Sequence, residues 1–445
     1  MEPFRNPKPD YTKVFIATGL VFLLSALLFG LAGALEYALP GFWRDRFSFE
    51  KIRPLHVSSA VFWILMGAIG SVLYFLKEHN NQDLKRLNLV KWMFYLFAVS
   101  FVAILISYSF GIFGGREYWE FHPAFSVLIT LSWGLFIFVF LSNFKTLKNQ
   151  PVYVWMWFTG ALFFLFTYLE SNLWLIPEIR NHLVKDMTIQ WKSYGSMVGS
   201  WNMLIYGSSI YLMDKIAGNK KYSFSSIAFW LYFLGLFNLM FNWGHHIYTL
   251  PTQPYVKHIA YAVSMTELFI FGRIIYLWKA SVTEAKKNFH INSFRFLLAA
   301  DVWVFLTLGL AIAMSIPALN IYMHGTHTVV AHTMGATIGI NSMLLLAFAS
   351  DSMGKNHSCS TTTKGYWIAN ISLIVFWLAL LVAGFLKAYW QFNQPEVAYG
   401  DMINSLRPWF YVFFISGLAL VTGLVMIIIP LLKRGFDKFS LTKSS

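Results

Sequence analysis

The sequence predicts an all-α polytopic membrane protein, with twelve transmembrane helices in a single domain over 1–445. Three observations predict it. Hydrophobic residues make up 57% of the 445 residues and charged residues only 12%, about half the ~25% charge typical of soluble domains. The apolar residues come in runs of roughly 20 or more, the length that crosses a bilayer as a helix. The lysines and arginines sit in short links between those runs. The net charge of +14 therefore reports membrane topology, and a nucleic-acid partner is not expected. The single cysteine, Cys359, excludes a disulfide framework, an iron–sulfur cluster and covalent C-x-x-C-H attachment. The N-terminal MEPFRNPKPD carries no cleavable signal pattern. The first apolar run is also too long for a signal peptide, so it is expected to remain as a span.

Apolar runs between charged or proline punctuation place the spans in order. Span one, 14–39, follows Lys13. Span two, 54–77, ends on Lys77, and span three, 91–114, stops before Arg116. Span four, 122–144, ends before Lys145. Span five, 152–176, is framed by Pro151 and Pro177, and span six, 193–214, by Lys192 and Lys215. Span seven, 226–250, ends at Pro251. Spans eight to twelve cover 258–279, 294–317, 323–350, 366–390 and 408–432. The links between them are too short for an inserted soluble domain.

With the N-terminus inside, 22 of the 34 Lys and Arg residues fall on the inner side. The positive-inside rule then puts both termini in the cytoplasm of a cell with an inner (plasma) membrane. Even-numbered spans run from outside to inside, which gives the histidines a depth. His56 opens span two, His245 and His246 close span seven, and His332 lies early in span ten. Four histidines from three distant segments share the outer leaflet. Ligand-type side chains within a bilayer are functional candidates by default.

The centre of this pattern is NIYMHGTHTVVAHTMGATIGINSM, Asn320–Met343, which carries His324, His327, His332 and Met334. Residues two apart on a helix point about 200° away from each other. His332 and Met334 therefore face opposite sides of one rod, which can stand between two cofactors such as haem planes. Imidazole is a good ligand for iron, copper and zinc, and adjacent His245 and His246 in FNWGHHIYTLP can reach one metal lying between them. Hydrogen-bonded interfacial histidines are the plainer alternative. His56, in RPLHVSSAVFWILMG, is followed by small residues that let a flat macrocycle approach. Glu267, in SMTELFIFG, is an acid near mid-membrane, read as a proton relay or as a protonated packing group. Glu117 and Glu120 in GREYWEFHP can hold a calcium ion, pair with basic groups, or sit in a solvated loop.

These residues resemble the catalytic subunit I of the haem–copper oxidase superfamily, on its nitric oxide reductase branch. The resemblance covers nearly the whole chain. It rests on GHH at Gly244–His246, the HGT…AH run at His324–His332, GREYWE at Gly115–Glu120, and Glu267. It implies a subunit I-like bundle that reduces nitric oxide to nitrous oxide. His332 would then hold a high-spin haem b, and His56 a low-spin haem b. His245 and His246 would hold a non-haem metal, iron rather than copper. Glu117 would match a calcium-site acid, His324 would lie near the haem propionates, and Glu267 would be the buried acid beside the site. A cytochrome c-type donor subunit is the implied partner.

Two departures stand out. Where the family has histidine two residues after the proximal ligand, this chain has Met334, so His56/Met334 ligation of the low-spin haem is expected. The third metal histidine, at the head of span six, falls on Tyr194, Gly195 or Ser196. Tyr194 is the candidate replacement and a candidate catalytic phenol. The position six before His245, where cbb3-type oxidases place a crosslinked tyrosine, is Leu239. The competing readings are a cbb3-like oxygen-reducing subunit, a haem subunit with a remodelled or lost metal site, and a twelve-span transporter.

Overall fold

The computed structural model describes residues 9–42, 44–45, 47–266, 291–353 and 359–440, with side chains up to 435. The described residues form a helical bundle without a β-strand beyond one isolated bridge, Arg116 to Trp119. The long helices are α1 (Tyr11–Ala38), α2 (Phe49–Asn80), α3 (Leu87–Ser109), α4 (Ala124–Ser142), α5 (Val152–Glu170), α6 (Leu183–Ala217) and α7 (Ser226–Phe241). A 3₁₀ segment, Asn242–Ile247, ends α7. They continue as α8 over 254–266, α9 (Ile291–Ser315), α10 (His327–Met353), α11 (Ser360–Asn393) and α12 (Tyr399–Ser440). α1 packs along α2, α5 along α6 and α11 along α12.

Ten helices among the described residues are long and apolar enough to cross a membrane, against twelve expected. The two missing spans have different causes. Expected span eight, 258–279, runs out of the described residues after 266. Expected span six exists as α6, a 35-residue helix, but its polarity keeps it below the hydropathy of the others. That polarity points inward. Ser193, Ser196, Ser200, Ser208 and Ser209 are buried. Four of their hydroxyls bond back into the helix, Ser193 to Gln190 O, Ser200 to Ser196 O, Ser208 to Leu204 O and Ser209 to Ile205 O. Such satisfied hydroxyls are tolerated in an apolar bundle and let helices approach closely. A Cβ at Gly160 of α5 would lie 2.7 Å from Ser200 O, so the two backbones touch there.

Burial ranks the helices. In α2, 89% of the membrane-length window is buried, against 33% in α3, α4 and α7. α2 is therefore the central rod, and those three offer much of their apolar surface outward, as lipid-facing helices do. Helix ends run past the expected spans: α2 starts at Phe49 and α12 at Tyr399. Terminal turns carry polar residues such as Glu50 and Asp401, which hydropathy trims away although the backbone stays helical.

Candidate functional site

One cavity of about 390 Å³ is lined by His56, His245, His246, His332, Met334 and Tyr194. Five of the predicted ligands thus meet in one space, though three chain segments supply them. His56 stands in the second turn of α2. Its Nδ1 lies 2.8 Å from the carbonyl of Ala26. A carbonyl only accepts, so Nδ1 carries the proton and donates, leaving the Nε2 lone pair for a ligand. Gly30 makes room for the ring: a Cβ there would sit 2.7 Å from His56 Cε1.

His332 and Met334 lie in the regular α part of α10, His327–Met334, so their ~200° separation holds. A π-helical stretch, Gly335–Ser342, follows at once; such insertions are frequent at functional sites. It is pinned by Trp63 of α2, whose indole donates to Ser342 Oγ at 2.9 Å. Gly339 lies flat on Trp303, where a Cβ would come within 2.3 Å of the ring.

His245 and His246 sit in the 3₁₀ segment with ring centroids 4.2 Å apart. Asn242 Oδ1 lies 3.1 Å from His245 Nδ1, and Trp191 of α6 stacks on His246, 5.0 Å away and within 9° of parallel. Sequence reasoning named neither partner. Asn242 was legible only as a polar residue three before the histidine, one 3₁₀ turn away.

At the expected third-ligand position, Gly195 is packed against Trp243, where a Cβ would sit 2.7 Å from Trp243 Cβ. Ser196 is spent on Leu239 O at 2.6 Å. Tyr194 alone presents a buried polar atom without a protein partner, its hydroxyl. Among the described residues no group of three or more His, Cys, Asp or Glu is disposed to hold a metal ion. The cavity wall carries further buried polar atoms that find no protein partner: Asn202 Oδ1, Asn238 Nδ2, Thr307 Oγ1 and Asn341 Oδ1. Buried polar atoms are normally satisfied, so a cluster of exceptions on one cavity points to bound water or a ligand.

The remaining predicted residues divide. Glu117 lies outside the cavity, in the loop after α3, where Arg53 bridges it at 2.5 Å and Glu120 at 3.1 Å. Burial lifts the Glu120 carboxyl above its ordinary pKa, and Arg53 draws it partly back. The loop turns through Tyr118 at φ 68°, in the left-handed region. His324 is exposed after the short helix Pro317–Met323 and does not line the cavity. Glu267 lies outside the described residues.

The family profile described as cytochrome c and quinol oxidase polypeptide I matches residues 10–419. The chain belongs to this family. A nitric oxide reductase chain of Stutzerimonas stutzeri is 23% identical over 95% of this chain and 94% of its own length. Cytochrome c oxidase subunit 1 of Rhodobacter capsulatus is 22% identical over 95% and 86%. A cbb3-type cytochrome c oxidase subunit of Stutzerimonas stutzeri is 21% identical over 85% and 84%. A heme-copper terminal oxidase dimer shares the fold at a TM-score of 0.73 and 14% identity, covering 96% of this chain and 84% of that one. The family binds haems and a metal centre, and the residues fit that equipment unevenly. His56, with its proton placed away from the cavity, His332 and Met334 suit haem iron. His245 and His246 suit two positions of a second metal.

Proposed function

We propose that the chain is a nitric oxide reductase-like oxidoreductase subunit of a bacterial inner membrane, working with a cytochrome c-type donor subunit. The observation that carries this reading is the convergence of His56, Met334, His332, His245 and His246 on one cavity. His56 and Met334 hold a low-spin haem b, and His332 holds a high-spin haem b. His245 and His246 hold the non-haem metal. In this reading α6 and the helix beginning at 254 complete a twelve-span bundle, with both termini cytoplasmic and the cavity toward the outer face.

When bound, the haems and the metal supply electron transfer and two adjacent sites for nitric oxide; two molecules take two electrons and two protons to give nitrous oxide and water. The chain's own residues hold and orient. The Ala26 carbonyl fixes His56, the glycines of α10 let the aromatic walls close in, and Trp191 keeps His246 from turning. Bringing two small reactants into one enclosed space replaces a bimolecular encounter. Glu267 is the proton carrier that the resemblance assigns.

Nitric oxide is favoured over oxygen by Leu239, an apolar residue against Gly199 on the cavity wall, where cbb3-type oxidases place their reactive tyrosine. Oxygen reduction is the second reading, supported by the unpartnered hydroxyl of Tyr194. Consumption of nitric oxide and of oxygen by the purified, donor-reduced protein separates them. Nitric oxide turnover exceeding oxygen turnover supports the first reading, and the reverse order defeats it.

A further inference from the structure

We infer that Asn242 is a positioning residue that fixes which nitrogen of His245 faces the cavity, through a directed chain of hydrogen bonds from two serines on neighbouring helices. The inference rests on the reading of His245 as a metal ligand. Ser315, ending α9, donates its hydroxyl to Ser264 Oγ at 3.1 Å. Ser264, on α8, has one hydroxyl proton and spends it on Asn242 Oδ1 at 2.5 Å. That oxygen's other partner is His245 Nδ1 at 3.1 Å. A carboxamide oxygen only accepts, so both partners donate and its two lone pairs are used. The direction of the chain therefore puts the His245 proton on Nδ1 and leaves Nε2 as the sole lone pair of the ring.

The chain is anchored as well as directed. The Tyr248 hydroxyl donates to the Ser315 carbonyl at 2.8 Å, tying the 3₁₀ segment to the end of α9. Ser264 and Ser315 are buried, and Gly244 lets the segment close on α8, where a Cβ would meet Val256 Cγ1 at 2.9 Å. Three elements thus agree on one ring orientation. Partners of this kind typically contribute 10–100-fold to metal affinity. Here the contribution is concentrated on one of only two histidines, because no third His, Cys, Asp or Glu joins them among the described residues.

The test is titration of ferrous ion into purified, haem-loaded full-length chain stripped of its non-haem metal, in competition with a chromophoric chelator. Asn242→Leu is expected to weaken ferrous binding about 10–100-fold. Asn242→Asp, which keeps the acceptor, is expected to stay within about threefold of the parent on the same reasoning. Ser264→Ala, which keeps Asn242 but removes its donor, is expected to fall between. Haem spectra report folding in every variant. Parent-like ferrous affinity in folded Asn242→Leu overturns the inference while leaving the metal site standing. Equal losses in Asn242→Leu and Asn242→Asp also overturn it. A haem-loaded parent that binds no ferrous ion overturns the site assignment, and the inference with it.

Discussion

Two clusters of polar groups in the bundle are treated in opposite ways. In one, Lys215 of α6 bonds both Glu78 oxygens, at 2.9 and 2.8 Å, and Asp351 at 2.6 Å. Tyr211 adds a bond to Glu78 at 3.3 Å. One ammonium thus ties α2, α6 and α10 together. Around the histidine-lined cavity, Tyr194, Asn202, Asn238, Thr307 and Asn341 each keep a buried polar atom that no protein group meets. Both regions lie among apolar helices, where an unmet polar group costs free energy. The satisfied cluster holds helices together. The unsatisfied one lines the cavity, where bound water or a ligand would supply the missing partners.

That contrast predicts a double dissociation. His332→Ala should remove the high-spin haem signal entirely while leaving the low-spin signal and the fold in place; unchanged optical and electron paramagnetic spectra would show that His332 holds no iron. Lys215→Met should do the reverse. It leaves two half-buried carboxylates without their cation, a loss of about 1–3 kcal/mol, between the values for an exposed and a buried pair, read as a lower denaturation midpoint with the haem spectrum of the remaining folded protein unaltered. Haem loss in that variant before any loss of helix would break the comparison.

Smaller effects sharpen it. Gly30→Val should lower low-spin haem occupancy severalfold, because a side chain there collides with the His56 ring; full occupancy on haem analysis would count against His56 as a ligand. Met334→His should lower the low-spin haem potential, since thioether ligation raises it relative to a second imidazole. An unmoved potential would show that Met334 merely packs.

At the loop after α3 the effect depends on pH. Burial raises the Glu120 pKa above its unfolded value. Its contribution to stability is therefore fully present below the unfolded pKa and is lost as pH rises through the raised folded one. Arg53→Met removes the charge that opposes this rise. The variant's stability deficit should be larger at about pH 8 than at about pH 5, measured by thermal denaturation at both. A deficit independent of pH would show that Arg53 acts on Glu120 only by packing.

Much of this was legible in the sequence, and the failures have physical causes. Long apolar runs announced the helices, and lysine and arginine bias gave the histidines a common depth before any contact was known. Span six is placed by its flanking lysines and exists as α6, but a hydropathy sum passes it over because most of its serines face inward and bond back into their own helix. The π stretch after Met334 depends on close packing of Gly335 and Gly339 against Thr307 and Trp303, a tertiary fact with no local signature. Arg53 reaching Glu117 and Glu120, and Trp191 stacking on His246, join residues more than fifty positions apart. Asn242 was visible as a neighbour of the histidine pair, but its role depends on Ser264 and Ser315, which only the fold brings to it.

The most direct test of the central claim is the haem b content of the purified chain, measured as pyridine haemochrome per polypeptide. The account predicts about two haems b per chain, one on each side of α10 where His332 and Met334 face apart. A colourless protein, with these side chains stable in their present packing, would contradict it.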